Sequence, residues 1–397
     1  MNGMTPLEAA SIPNMDFFTS RGEMGMINPV KPGFIPESDE AIVSIFGNEL
    51  INSSRGQLEA MGAELKLTRG DLALRVNFAT IDSLKNGNII DRRAGRTLTT
   101  EEAKVLEKAI NLRVKLPVTF IFKTTIQHRG VLVLRGGFSD NISNNDISYY
   151  KQGKLNVNEK TKLCIPLDDE DNSQYTANII NEFISQAFKI LNNHPVNEYR
   201  RKKGLMPANY ILYRGPGIEK PKLKQYKKWL AVSYMPLEIG FSKLSGMKVF
   251  SFEYPTLRSM DVYENLYEGL KKACDFSIKT LKENFKKVDY AYVHIKETDT
   301  PGHDNKPIEK KLMLEEIDRT FFKFLREFAP QNDIKIVVTG DHSTPCKLKA
   351  HSADPVPFLF YNNSIPREKK FCEKEARNGK LGIILGKELF KRVGFVK

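Results

Sequence analysis

The chain has 397 residues, 41% hydrophobic and 27% charged, with a formal net charge of +13. That composition is globular rather than disordered, and the length suits two domains or one domain carrying a large insertion. No run approaches the roughly 18 apolar residues of a membrane span, and no basic-then-apolar signal region opens the chain, so a cytoplasmic protein is expected. The positive charge permits nucleic-acid binding but equally suits an enzyme of anionic small molecules. The basic residues are scattered, and the densest run, 220–228, reads as a solvated face. Four well-separated cysteines without a CxxC pair point to reduced thiols.

In chain order, residues 1 to about 70 are rich in Gly, Pro and Met and in short polar turns. Strands are predicted over 72–78, 118–123 and 130–134. Thr99-Thr100-Glu101-Glu102 forms a capping box ahead of a helix to about Leu112. The polar stretch 138–172 reads as a surface excursion, followed by a long helix over 174–191. From about 205 short apolar strands alternate with long helices: strands at 210–213, 248–252, 290–295, 334–339 and 357–361, helices at 263–285 and 308–328. Such alternation predicts a parallel sheet covered by helices.

Ligands of an open parallel sheet gather beyond the carboxyl ends of its strands. Two predicted strands lead into residue types that bind metals. After the first come Asp299 and His303, with Pro301 and Gly302 between them predicting a loop that curls both side chains onto one ion. After the second come Asp341 and His342, and His351 follows nine residues later. Three imidazoles and two carboxylates suit borderline divalent cations such as Mn²⁺ or Zn²⁺, and a paired set suits two-metal phosphoryl transfer. Each piece alone is more often a turn with a satisfied side chain. His294 reads as structural, His194 as ambiguous, and His128 beside Arg129 as either a phosphate-binding pair or a turn. Ser38 follows a Gly/Pro loop and opens a helix. It is either a nucleophile at a helix N-terminus or an ordinary N-cap.

Taken together, the chain resembles the 2,3-bisphosphoglycerate-independent phosphoglycerate mutases of the archaeal type, within the alkaline-phosphatase superfamily. The resemblance is carried by Thr5-Pro6-Leu7-Glu8-Ala9-Ala10, Gly56-Gln57-Leu58-Glu59-Ala60-Met61-Gly62-Ala63, Arg75-Val76-Asn77-Phe78-Ala79-Thr80 and Asp91-Arg92-Arg93-Ala94-Gly95-Arg96. It continues through 128–136, His194-Pro195-Val196-Asn197 and Val338-Thr339-Gly340-Asp341-His342-Ser343-Thr344-Pro345-Cys346, in order over nearly the whole chain. It implies an α/β fold: an alkaline-phosphatase-like parallel-sheet core sandwiched by helices (1–70 and 205–397), interrupted by a smaller inserted α+β domain (71–204). It implies interconversion of 3-phosphoglycerate and 2-phosphoglycerate through a phosphoserine on Ser38. Two divalent ions are implied, Mn²⁺ foremost and Zn²⁺, Co²⁺ or Mg²⁺ as alternatives, without 2,3-bisphosphoglycerate as cofactor. Asp299, His303 and His351 would hold one ion, and Asp341 and His342 beside Ser38 the other. Arg75, His128, Arg129 and Arg135, with Lys243 from the core, would grip the substrate's carboxylate and phosphate. The implied partner is that small molecule, with neither nucleic acid nor membrane.

Two departures from the family pattern are visible. Family members open with a strand ending in Asp-Gly ahead of the Thr-Pro-Leu-Glu segment, and that Asp holds the ion shared with the nucleophile. Here Thr5 follows Met1-Asn2-Gly3-Met4, so this strand and its Asp are expected to be absent, leaving unpaired backbone groups in the sheet; a late start of the sequence is the simplest expectation. Ile42 also stands where the family usually has a His. An impaired or non-catalytic descendant, or a metal-dependent phosphomonoesterase, would retain the same ligand set.

Overall fold

The computed structural model describes residues 3–50, 54–146, 160–258 and 261–395. The N-terminal stretch is more structured than its turn-rich sequence predicts. It holds α1 (Pro6–Ala9), α2 (Pro13–Ser20), the buried strand β1 (Gly22–Asn28), α3 (Ser38–Ile45) and α4 (Arg55–Gly62). Methionines and glycines dominate β1, so neither β-branched residues nor alternation marks it.

Next comes an antiparallel sheet built on β2 (Leu72–Ile81), with β3 (Ile89–Asp91), β4 (Phe120–Thr124) and β5 (Arg129–Leu134). α5 (Thr100–Arg113) begins at the predicted capping box, Thr99 and Glu102 each accepting from the other's backbone N–H. It buries Ala103, Leu106 and Ile110 on one stripe. α6 (Asp171–Asn192) adds Ile180, Phe183, Ala187 and Leu191 to the same core. Each such aliphatic or aromatic side chain contributes about 1.5–3 kcal/mol when fully buried. His194 caps α7 (Pro195–Lys202), its Nδ1 accepting from the Val196 N–H at 3.2 Å. The excursion predicted over 138–172 lies in part (147–159) outside the described residues. The strand expected to open the core, β6 (Tyr210–Gly217), instead pairs antiparallel with β2, and Tyr210–Tyr213 pack into the insert's apolar cluster. The antiparallel sheet therefore continues past residue 204, because both faces of β6 find their partners there.

The remainder alternates strand and helix: β7 (Trp229–Val232), α8 (Pro236–Leu244), β8 (Lys248–Phe250), α9 (Val262–Asn284), β9 (Tyr290–Val293), α10 (Asp299–His303), α11 (Pro307–Ile317), α12 (Lys323–Gln331), β10 (Ile336–Thr339), β11 (Val356–Tyr361) and β12 (Ile383–Leu385). The helix predicted over 308–328 is interrupted by a π turn at Asp318–Phe322, where the Asp318 carboxylate accepts from the Met15 N–H at 2.7 Å and the Asn14 N–H at 3.2 Å. The mixed α/β class is as expected, but the core sheet is not one parallel array. β8-β7-β9 are parallel, whereas β11 runs antiparallel between β10 and β1, and β12 joins β1 in parallel. Among the described residues no ladder joins β9 to β10; their facing edges line a cavity of about 1430 Å³ together with Ile42, Phe46, Phe321 and Phe322. Both strands nevertheless deliver their carboxyl ends to one place. No helix of the described residues is long and apolar enough to cross a membrane.

Candidate active site

The segment after β9 supplies Asp299 and His303. They do not sit on a loop: α10 is a single helical turn that begins at Asp299. Pro301 is tolerated there because first-turn N–H groups need no intrahelical acceptor. The i, i+4 spacing puts both side chains on one face, with His303 Nε2 at 3.5 Å from Asp299 Oδ1. His351 Nε2 approaches the same oxygen at 3.8 Å. One ligand atom from each of the three lies within 4.8 Å of the others.

The hydrogen bonds fix which imidazole nitrogen faces inward. His303 Nδ1 lies 3.1 Å from the Lys349 carbonyl and His351 Nδ1 2.9 Å from the Pro36 carbonyl. A carbonyl only accepts, so both Nδ1 atoms carry the proton and both Nε2 lone pairs point into the site. Thr344 donates its single hydroxyl hydrogen to Asp299 Oδ1 at 2.8 Å, so His342 Nδ1–H must donate to Thr344 Oγ1, 3.1 Å away. His342 Nε2 is then a lone pair facing Ser38 Oγ at 3.1 Å. Gly302 permits this arrangement, since a Cβ there would collide with the Thr344 backbone. Outer hydrogen bonds of this kind orient metal-binding histidines. Burial, and next the neighbouring His342, hold the His351 imidazole down at about 3. Burial also lowers His342, against the pull of Asp341. Neutral imidazoles are the ligating form, and this donor set fits a divalent cation.

Ser38 is the first residue of α3 rather than its cap; Glu37 occupies the cap and exchanges hydrogen bonds with Glu40. The Ser38 side chain is thereby released towards the site, where Lys296 Nζ donates to its Oγ at 2.5 Å. Lys296 also lies 3.6 Å from Asp341 Oδ2 and 3.6 Å from Glu238 Oε1. Burial lowers the affinity of Lys296 for its proton, but Asp341 and Glu238 outweigh that and raise it. Burial likewise raises the Asp341 carboxyl, yet His342 and Lys296 pull it well down.

Cations face this cluster from the insert. Arg75 on β2 sits cross-strand from Arg214 on β6, and Asn77 from Arg129 on β5. Arg214 reaches Glu37, beside Ser38, at 3.0 Å, and Arg55 reaches the same carboxylate at 2.6 Å. Burial pushes the Glu37 carboxyl up, but Arg214 and then Arg55 outweigh it and hold it at about 2. Burial, then Arg214 and Arg55, depress Arg75 well below its ordinary value. His128 is buried, and among the described residues neither ring nitrogen has a hydrogen-bond partner. Burial, then Arg129 and Arg93, hold it neutral. A crowd of buried cations of this kind can hold an anion.

Two expected members of that clamp lie elsewhere. Arg135 follows the far end of β5 and is tied to Asp71 and the Lys66 carbonyl. Lys243, on the exposed side of α8, pairs with Glu64 at 2.9 Å. The core lysine that lies beside Ser38 is Lys296. Lys296, Glu238, Arg55 and Arg214 were missed from sequence. Only Lys296 carried a signal, since it stands in the same post-strand segment as Asp299.

Residues 19–197 match the family described as 2,3-bisphosphoglycerate-independent phosphoglycerate mutase. A protein of that name from Pyrococcus furiosus is 40% identical over 399 residues, spanning 98% of this chain and 91% of that one. One from Methanocaldococcus jannaschii is 38% identical, spanning 98% and 92%. Among solved structures, the PH0037 protein from Pyrococcus horikoshii aligns with a TM-score of 0.72 and 30% identity over 100% of this chain and 93% of that one. The cofactor-independent phosphoglycerate mutase from Thermoplasma acidophilum aligns with a TM-score of 0.55 and 27% identity over 99% and 94%.

Proposed function

The chain belongs to the 2,3-bisphosphoglycerate-independent phosphoglycerate mutase family, and from that premise we propose that it interconverts 3-phosphoglycerate and 2-phosphoglycerate as an isomerase of glycolysis and gluconeogenesis. The observation that carries this reading is Ser38 Oγ, held between the Lys296 ammonium and the His342 Nε2 lone pair, with the arginines of the insert facing it. Ser38 Oγ attacks phosphorus while the P–O bond to the glycerate oxygen breaks, and the freed oxygen takes a proton. The other glycerate hydroxyl then attacks the phosphoserine, returning Ser38. One nucleophile serves both displacements, so a covalent intermediate is required and no bisphosphorylated cofactor is needed.

With no ion bound, the His342 Nε2 lone pair is placed to accept the Ser38 hydroxyl hydrogen and Lys296 to donate to the oxygen; with an ion there, Nε2 would be its ligand instead. Arg75, His128 and Arg129 bind the phosphate and carboxylate and retain the glycerate between the two steps. The donor set fits two divalent ions, Mn²⁺ foremost, with Asp299, His303 and His351 holding one and Ser38, Asp341 and His342 the other. Bound there, such ions supply charge neutralisation and favour an ionised hydroxyl. Contacts between insert and core help exclude water: Arg96 to Asp304 at 2.6 Å and Gln127 to Asn265 at 3.0 Å. The test is a coupled assay of 3-phosphoglycerate conversion by this chain with Mn²⁺ and no 2,3-bisphosphoglycerate. Isomer formation without phosphate release is expected; phosphate release alone would make it a phosphomonoesterase.

A further inference from the structure

Glu238 lies near the start of α8, where the sequence offers no motif. α8 crosses α4 so closely that a Cβ at Gly240 would collide with the Leu58 carbonyl, and one at Gly62 with Pro236. That crossing drives Glu238 inward until it is 2% exposed. Neither of its carboxylate oxygens has a hydrogen bond among the described residues. A buried carboxylate without a hydrogen bond is costly. The Lys296 ammonium Nζ lies 3.6 Å away and His294 Nε2 3.8 Å away; burial holds the His294 imidazole below its ordinary value, and its Nδ1 is bound to the Tyr292 hydroxyl at 2.7 Å. Asp341 Oδ2 is likewise buried without a hydrogen bond.

The Lys296 ammonium is what these groups share. It stands 2.5 Å from Ser38 Oγ and 3.6 Å from each orphan carboxylate, while His342 Nε2 lies 3.1 Å from Ser38 Oγ and 3.3 Å from Asp341 Oδ2. Ser38, Asp341 and Glu238 therefore all face the position taken by the Lys296 ammonium, with His342 flanking Ser38 and Asp341. Two carboxylates against one ammonium leave the position net negative, which favours a divalent cation over a monovalent one.

We propose that Glu238 is a ligand of the cation held beside Ser38, and that the Lys296 ammonium is its built-in competitor, displaced when the ion binds. This rests on the reading of Ser38, Asp341 and His342 given above; what it adds is Glu238 as a further carboxylate and Lys296 as the group that sets the affinity. Removing the carboxylate and removing the ammonium must then move affinity in opposite directions, which a merely structural ion pair would not do.

The test is Mn²⁺ titration of the metal-free full chain, following free Mn²⁺ by electron paramagnetic resonance. The wild type should bind two ions. Glu238→Gln should weaken the second roughly 10- to 100-fold and leave the first unchanged, and Lys296→Met should tighten the second by roughly tenfold. Should Glu238→Gln fail to fold, Glu238→Asp, which retracts the carboxylate, carries the same expectation of weakening. Two ions bound by Glu238→Gln with wild-type affinities would overturn the proposal. So would a weaker second ion in Lys296→Met, or a wild type that binds only one. The mutase assay is read separately: a chain without turnover whose second ion still responds to Glu238 would overturn the functional reading and leave this one standing.

Discussion

The two regions that meet at Ser38 bring opposite charge by different means. The insert presents guanidiniums from the middle of an antiparallel sheet, where Arg75 and Arg214 are cross-strand neighbours fixed by register. The core presents carboxylates and imidazoles from the segments after β9 and β10, strands of a divided sheet. There the side chains are fixed by outer hydrogen bonds instead, through Thr344, the Pro36 carbonyl and the Lys349 carbonyl. A register-fixed cation can grip an anion but offers no lone pair to a metal. Loop-borne donors can converge on an ion, provided something orients them. On the proposed function, grip belongs to the antiparallel sheet and chemistry to the segments after β9 and β10, and substitutions should divide accordingly between KM on one side and kcat with metal content on the other.

The largest effect tests the core. Ser38→Ala should lower kcat by roughly 10⁴-fold or more with the fold intact, because the covalent step has no other oxygen; retained turnover in the coupled assay would remove Ser38 from the mechanism. His351→Ala comes next. It should cost about one Mn²⁺ per chain by elemental analysis and roughly 10²-fold in kcat. Unchanged metal content would refute its role as a ligand.

Much of this division was legible in the sequence, for definable reasons. Asp299, His303, Asp341 and His342 follow short apolar strands, so their placement required only the strand assignments and the rule that ligands gather beyond strand carboxyl ends; His351 was marked only by coming nine residues after His342. The helical state of 299–303 was not legible: Pro and Gly read as breakers, yet at a helix's first turn proline costs little. Arg75 and Arg129 could be proposed as a pair, whereas Arg214 could not, because β6 resembled the first strand of the core. Only pairing with β2 reveals otherwise. Glu238 was invisible because nothing local tells an inward-facing acid on an amphipathic helix from a solvated one. Its burial comes from the α4–α8 crossing, a tertiary event.

Substitutions in the insert should sharpen the other half of the comparison. Arg75→Gln should raise KM by roughly 10- to 100-fold while metal content stays at the wild-type level; loss of an ion would show that the two regions are not separable. His128 adds a pH dependence. Its folded pKa lies well below the ordinary 6.5, first through burial and then through Arg129. The unfolded chain therefore binds this proton first as pH falls. The stability contributed by neutral His128 is present above 6.5 and is lost as pH falls from there towards the folded value, at no more than about 1.4 kcal/mol per pH unit. His128→Gln should flatten that part of the acid limb in thermal melts between pH 7 and 5. An unchanged slope would mean that His128 titrates normally.

The smallest effects concern the two cations that the sequence placed in the clamp and the fold places elsewhere. Arg135 and Arg129 bracket β5, a six-residue strand, and at ~3.3 Å per residue the two ends cannot address one small anion together. Arg135 instead compensates Asp71, whose side chain is buried and also accepts from the Thr68 N–H at 2.7 Å. Arg135→Gln should therefore leave KM within twofold while costing about 1–2 kcal/mol in denaturant unfolding, the penalty for a buried carboxylate losing its partner. Lys243 and Glu64 form an exposed pair, so Lys243→Gln should change neither KM nor stability measurably. A tenfold rise in KM in either variant would mean that the clamp extends along β5 or across α8, and the division between a gripping insert and a reacting core would have to be redrawn.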